Sequence, residues 1–220
     1  MKILNKLTLA ACLLVALCCQ LPAASLTTFF NTTNSGGSNS TQMFDINVLN
    51  GSGITITSFE VNNSVGGAAG QSFTLNVYTT PTTLVGKETN AAAWTLVSSG
   101  TGVSALADTP IPVDVTDFFL APGTYGLALS SPDLNIGYSN AGASSTYSNA
   151  DISLSTFKST VSCLFCGTVN ARTWNGTINY NVGSASTAIP EPATLLLSSG
   201  ALMLLLGTRR RQFLRATRAK

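Results

Sequence analysis

Short runs of alternating apolar and polar residues recur through the middle of this 220-residue chain. Phe44, Ile46 and Val48 alternate with Asp45 and Asn47, and Phe73, Leu75 and Val77 share one face of SFTLNVYT. Tyr125, Leu127 and Leu129 do the same in GTYGLALS, and Ile152 and Leu154 follow in DISLSTF. The longest run sets Trp174, Gly176, Ile178, Tyr180 and Val182 against Asn175, Thr177, Asn179 and Asn181. A period of two puts every second side chain on one face, the pattern of a half-buried antiparallel strand. GITITSFEVN breaks phase: Ile54 and Ile56 share one face, Phe59 and Val61 the other. Such a switch predicts a bulge or a crossing between sheets. With AWTLVSS, IPVDV and LNIGYS, the runs predict roughly eight to ten short strands at the spacing of a sandwich or barrel. Gly, Asn, Pro and Ser clusters separate them, and no internal repeat is present. The expected fold is an all-β antiparallel sandwich.

The two ends leave this pattern. The chain opens MKILNKLTLAACLLVALCCQLPAAS: two lysines, an uncharged apolar run over residues 7–19, then Leu-Pro and small residues. That order is a secretory signal peptide, cut after Ala24 or Ser25, and the run is shorter than the ~20 apolar residues of a spanning helix. Leu9-Ala10-Ala11-Cys12 spells a lipoprotein box, but too few residues separate it from Lys6 to form the apolar stretch that lipidation needs. The expected organisation is a signal peptide (1–25), a β-sandwich domain (26–183), a small polar linker (184–188), a proline-clipped apolar segment (189–212) and a basic tail (213–220).

Charge divides along the same lines. Between residues 26 and 189, Lys87, Lys158 and Arg172 face eight acids, a net −5, although the whole chain carries +2. The basic pI therefore belongs to the ends. Without a clustered basic face to neutralise phosphates, nucleic acid is not an expected partner.

The second end reads IPEPATLLLSSGALMLLLGTRRRQ, residues 189–212. Its uncharged stretch, residues 193–208, makes about 24 Å of helix at ~1.5 Å per residue. That is slightly short of a ~30 Å hydrocarbon core, which snorkelling arginines can offset. Arg209, Arg210 and Arg211 put the tail in the cytoplasm by the positive-inside rule, and the signal peptide independently puts the middle domain outside. Pro190 and Pro192 lack amide protons, and Pro192 keeps Glu191 out of the helical region, so the clip stays extended and open to an enzyme.

Pro190-Glu191-Pro192, Ala193-Thr194, the Leu-rich run and Arg209 to Arg211 together resemble the PEP-CTERM sorting signal of Gram-negative bacteria. The resemblance implies an exosortase, a membrane-embedded cysteine transpeptidase, as processing partner. It also implies a transient stay in the inner membrane and a producer that makes exopolysaccharide. The tail beyond the arginines, QFLRATRAK, is longer than in most such signals. MFDINV (43–48), ITITSFEVN (54–62), AAWTLVSSG (92–100), LAPGTYGLAL (120–129) and RTWNGTINY (172–180) resemble a recurrent secreted module of such cargo proteins. That second resemblance implies a jelly-roll-like sandwich and says nothing of a ligand. The expected role is an exported, non-enzymatic protein of the cell envelope, the cell surface or the exopolysaccharide matrix. The alternative is a carbohydrate-binding or adhesive module.

Candidate chemistry is sparse. The chain has no histidine, which removes Ser-His-Asp and Cys-His nucleophile systems and His-ligated zinc. A glycosidase-like carboxylate pair would have to use Glu60 and Glu88, the domain's two glutamates. Cys163-Leu164-Phe165-Cys166 has C-x-x-C spacing, but a redox pair needs a helix N-terminus and zinc needs two further ligands. An exported chain favours a local disulfide there, with free thiols as the alternative. Asp114 and Asp117, with Asp108 and Asp133, could gather oxygens around Ca²⁺, although turn aspartates usually cap backbone amides. Trp94 and Trp174 keep phase with apolar neighbours and are expected in the core. Tyr138 and Tyr147, in GYSNAGASSTYSNA, are the expected exposed aromatics and the candidate sugar contacts. The Asn-x-Ser/Thr sequences at Asn31, Asn39, Asn62 and Asn175 are read as polar turns. No catalytic, cofactor-binding or metal-binding residue is assigned.

Overall fold

The computed structural model describes residues 23–140 and 145–183. In chain order the strands are β1 (Ala23–Thr27), β2 (Asn34–Ser35), β3 (Thr41–Val48), β4 (Ile54–Val61) and β5 (Ser72–Pro81). There follow β6 (Thr95–Val103), β7 (Ile111–Leu120), β8 (Gly123–Ser130), β9 (Gly137–Ser139) and β10 (Tyr147–Ser148). The series ends with β11 (Ile152–Thr160), β12 (Thr168–Asn170), β13 (Thr173–Trp174) and β14 (Gly176–Val182). Helix among the described residues is confined to one 3₁₀ turn, Ala91–Ala93. The fold is all-β, with antiparallel pairing throughout.

One sheet holds eleven strands, in the order β1-β14-β4-β7-β6-β5-β8-β3-β11-β10, with β12 also paired to β11. A second sheet has three short strands, β13-β9-β2. Leu26 of β1, Ile178 of β14, Phe59 of β4, Leu75 of β5, Leu127 of β8, Phe44 of β3 and Leu154 of β11 all enter one core. The long sheet must therefore fold back over itself, in a sandwich-like or barrel-like arrangement. Its two edges meet: Asn149, beside β10, donates from Nδ2 to the Ser25 carbonyl of β1 at 3.1 Å. Phe29, just past β1, stacks on Tyr147 of β10 with ring centroids 6.1 Å apart.

The expected phase switch in β4 is a bulge at Thr57. Both neighbours skip that residue: Ile56 pairs with Tyr180 and Phe118, and Ser58 with Asn179 and Asp114. The extra residue turns Phe59 and Val61 back to the side already used by Ile54 and Ile56, and all four are fully buried.

The long alternating run at the C-terminal side behaves differently from its expectation as one strand. It divides at Asn175: Trp174 pairs with Tyr138 in the small sheet, and Gly176 begins the ladder with β4. Asn175 is fully buried there, its amide donating to Thr32 Oγ1 at 3.2 Å. The inward phase survives the break. Trp174 stacks on Phe44 with centroids 5.0 Å apart and planes 12° apart, and meets Phe59 edge-on at 6.3 Å. Such pairs add about 0.5–1.5 kcal/mol each beyond burial. Gly176 is required beside them, because a Cβ would collide with the Trp174 indole and the Glu60 carbonyl.

The expected signal-peptide boundary, between residues 25 and 26, falls inside β1, whose ladder to β14 begins at Ala23↔Asn181. The expected linker, the apolar segment at 189–212 and the tail lie outside the described residues.

Candidate functional site

The outer face of β3 is covered instead of wet. Asp45, in the outward phase, is only 6% exposed. Its Oδ2 accepts from Thr83 Oγ1 at 2.7 Å and its Oδ1 from the Leu84 amide at 2.8 Å. The carboxylate thus draws the connection between β5 and β6 across the strands and drops Leu84 onto them. Trp94, further along the same connection, donates its indole N–H to the Lys87 carbonyl at 2.9 Å. Leu84 and Trp94 join Met43 and Ala128 in a second apolar cluster, separate from the main core.

The cysteine loop completes that cluster. Phe165 lies between the two cysteines and is buried, with a backbone φ of 54°. Its ring stacks on Trp94 and meets Tyr78 edge-on, both at 5.2 Å between centroids. Cys163 and Cys166 are joined through sulfur, with Cα atoms 5.8 Å apart, within the usual span of a disulfide. The cysteine loop is made of bends between β11 and β12, so no helix N-terminus faces either sulfur. The short loop holds Phe165 in a left-handed conformation that bulky residues rarely adopt.

An ion pair closes the rim. Lys158 of β11 donates to Glu88 Oε1, with side chains 19% and 11% exposed. Burial works against ionising Glu88. The Lys158 ammonium and the backbone amides of Glu88 and Gly86 outweigh it and hold the carboxyl below its ordinary value of 4.5. Glu88 is thereby tied into an ion pair instead of standing free at the surface. Glu60 lies half-buried on β4, six places from β11 in the ladder order, and the Glu88 carboxylate is taken up by Lys158.

The aspartates do not converge either. Asp108 sits in a polar knot, where its Oδ1 accepts from the Thr32 amide at 2.6 Å and from Asn62 Nδ2 at 3.2 Å. Asp133 accepts from the Thr74 amide at 3.3 Å, and Asp114 and Asp117 stand exposed on β7. Among the described residues, no three Cys, Asp or Glu side chains are placed to hold a metal.

Both candidate sugar contacts need correction. Tyr138 is 3% exposed, because β9 is enclosed between β2 and β13, and the Arg172 guanidinium lies over its ring at 5.7 Å. Tyr147 is half-buried, wedged between Phe29 and Phe157. Tyr138 thus has no exposed ring to offer a sugar, and Tyr147 already packs against two aromatic rings. Trp94 and Trp174 are buried as expected, although Leu96, which shares Trp94's phase, is exposed.

Sequence reasoning passed over Asp45, Lys158, Phe165 and the polar knot of Asn62, Thr32, Asp108 and Asn175. The knot left a trace at two Asn-x-Ser/Thr sites: Asn62 and Asn175 are fully buried, not turn residues. Phe165, between two cysteines, was the other signal available. The sorting residues Pro190, Glu191, Pro192, Arg209, Arg210 and Arg211 lie outside the described residues. No protein-family profile matches this chain, and no characterised protein matches its sequence significantly.

Proposed function

We propose that this chain is an exported, non-enzymatic protein of the cell surface or exopolysaccharide matrix, sorted by an exosortase. One observation carries the reading: residues 189–212 set Pro-Glu-Pro, an uncharged apolar run and three arginines in that order, behind an all-β domain. On this reading the domain is a jelly-roll-like sandwich, delivered outside by the signal peptide and held briefly in the inner membrane by residues 193–208. The proline clip is the processing site. The β-domain supports a structural role, because its acids are dispersed or paired and both tryptophans and Tyr138 are packed inside.

Fractionation of the native host tests it. With Pro190→Ala plus Pro192→Ala, the signal peptide still exports the domain, but the helix can grow back through Glu191 and order the bond to be cut. Unprocessed protein should collect in the inner membrane. Arrival at the surface at the normal rate and size would reduce the tail to a short anchor.

A further inference from the structure

Ala23 pairs with Asn181 at the start of the β1–β14 ladder, and the Gly183 amide donates to the Gly53 carbonyl at 2.8 Å. The chain therefore enters and leaves the described domain at one end. Three connections meet there: residues 49–53 after β3, 121–122 between β7 and β8, and 149–151 before β11. The contacts are direct, with the Leu49 amide donating to the Asp151 carbonyl at 2.7 Å and Ile54 pairing with both Val182 and Leu120.

The connections at this end carry one charge, Asp151, whose carboxylate already accepts from Asn50 Nδ2 at 2.7 Å and from the Tyr180 hydroxyl at 3.1 Å; Asp117, two residues before Phe119 on β7, stands exposed. It also carries two large apolar side chains in water. Leu49 is 50% exposed, and Phe119, against Gly53, is 45% exposed.

We infer that this end docks on a lipid surface, with Leu49 and Phe119 as its two contacts. The inference rests on the proposed membrane stay of the tail. Nine residues separate Gly183 from the apolar run that begins at residue 193, and they reach at most about 30 Å even when extended. The tail thus leaves from the Leu49–Phe119 end, and the opposite end of the domain lies roughly one strand length from that point of exit. Two apolar tips at the point where the tail leaves are suited to the boundary between the headgroups and acyl chains of an uncharged lipid surface, which does not repel Asp117 or Asp151. The opposite end carries Val65, Val103 and Leu106, each more exposed than Leu49. Apolar exposure alone would favour that far end, so the two ends make an internal control.

Photolabelling separates the cases. The full chain, made in a host without exosortase, is placed in phosphatidylcholine vesicles doped with a diazirine phosphatidylcholine, irradiated, digested and mapped. We expect adducts on residues 193–208 and on the peptides carrying Leu49 and Phe119, and none on those carrying Val65, Val103 or Leu106. Leu49→Ser plus Phe119→Ser should lower the loop adducts several-fold and leave the tail adducts unchanged. Tail adducts without loop adducts, with far-end adducts instead, or with loop adducts that survive the double substitution overturn the docking surface alone. Absence of tail adducts overturns the membrane reading and this inference with it.

Discussion

Phe165 stacks on Trp94 with ring centroids 5.2 Å apart and planes 20° apart, although the two residues belong to different connections of the fold. The contact ties the cysteine loop to the loop that Asp45 holds down. Phe165→Ala should therefore open the outer cluster and destabilise the domain by about 3 kcal/mol, at the low end for a buried phenylalanine. Urea unfolding of the isolated domain measures this. A loss below about 1 kcal/mol would show that the cluster contributes little packing.

The disulfide should matter less than the ring it positions. Cys163 and Cys166 close a very small loop, which constrains the unfolded chain weakly, so Cys163→Ser plus Cys166→Ser should cost less than the ~2–4 kcal/mol typical of disulfides. Mass spectrometry of the unreduced secreted domain checks the bond itself, and two alkylatable thiols would refute it.

Acid should expose the Glu88–Lys158 pair. The folded-state pKa of Glu88 lies below its ordinary 4.5. The pair's stabilisation is thus fully present above that pH and fades as pH falls through the folded value. Glu88→Gln should cost about 1–2 kcal/mol near neutrality, between the values for exposed and buried pairs, and nothing once the wild-type carboxyl is protonated. Unfolding midpoints of both proteins across the acid range should converge.

Alkali should act through Tyr180. Its phenol is pushed up to about 12, mainly by burial, with the Asp151 charge and the bond donated to it adding and the Asn149 bond opposing. Folding favours the protonated phenol, so its contribution is complete below pH 10 and is lost as pH rises towards 12. Tyr180→Phe should cost about 1 kcal/mol at neutral pH through its lost hydrogen bonds. The variant should also lose less stability than wild type above pH 10, as read by urea midpoints.

Much of the main core could be read from the chain, because alternation reports directly on an inward face. Even the Thr57 bulge was legible in the switch between Ile56 and Phe59. Alternation does not report what covers the other face. Asp45 read as a solvated position, yet a connection 39 residues away in sequence lies over it. Tyr138 read as a loop aromatic for a related reason: β2, β9 and β13 have two or three residues each, too few to show a period. Asn175 ended a strand that the pattern carried straight through, since its partners Thr32 and Ser139 are distant in sequence.

The central claim is that the proline clip at residues 190–192 is a processing site on an exported domain. The intact mass of the protein recovered from the surface of the native host tests it most directly. The account predicts a chain that begins after Ala24 or Ser25 and lacks the apolar run and the arginines of residues 193–220. A surface form that keeps Arg209, Arg210 and Arg211 would contradict it.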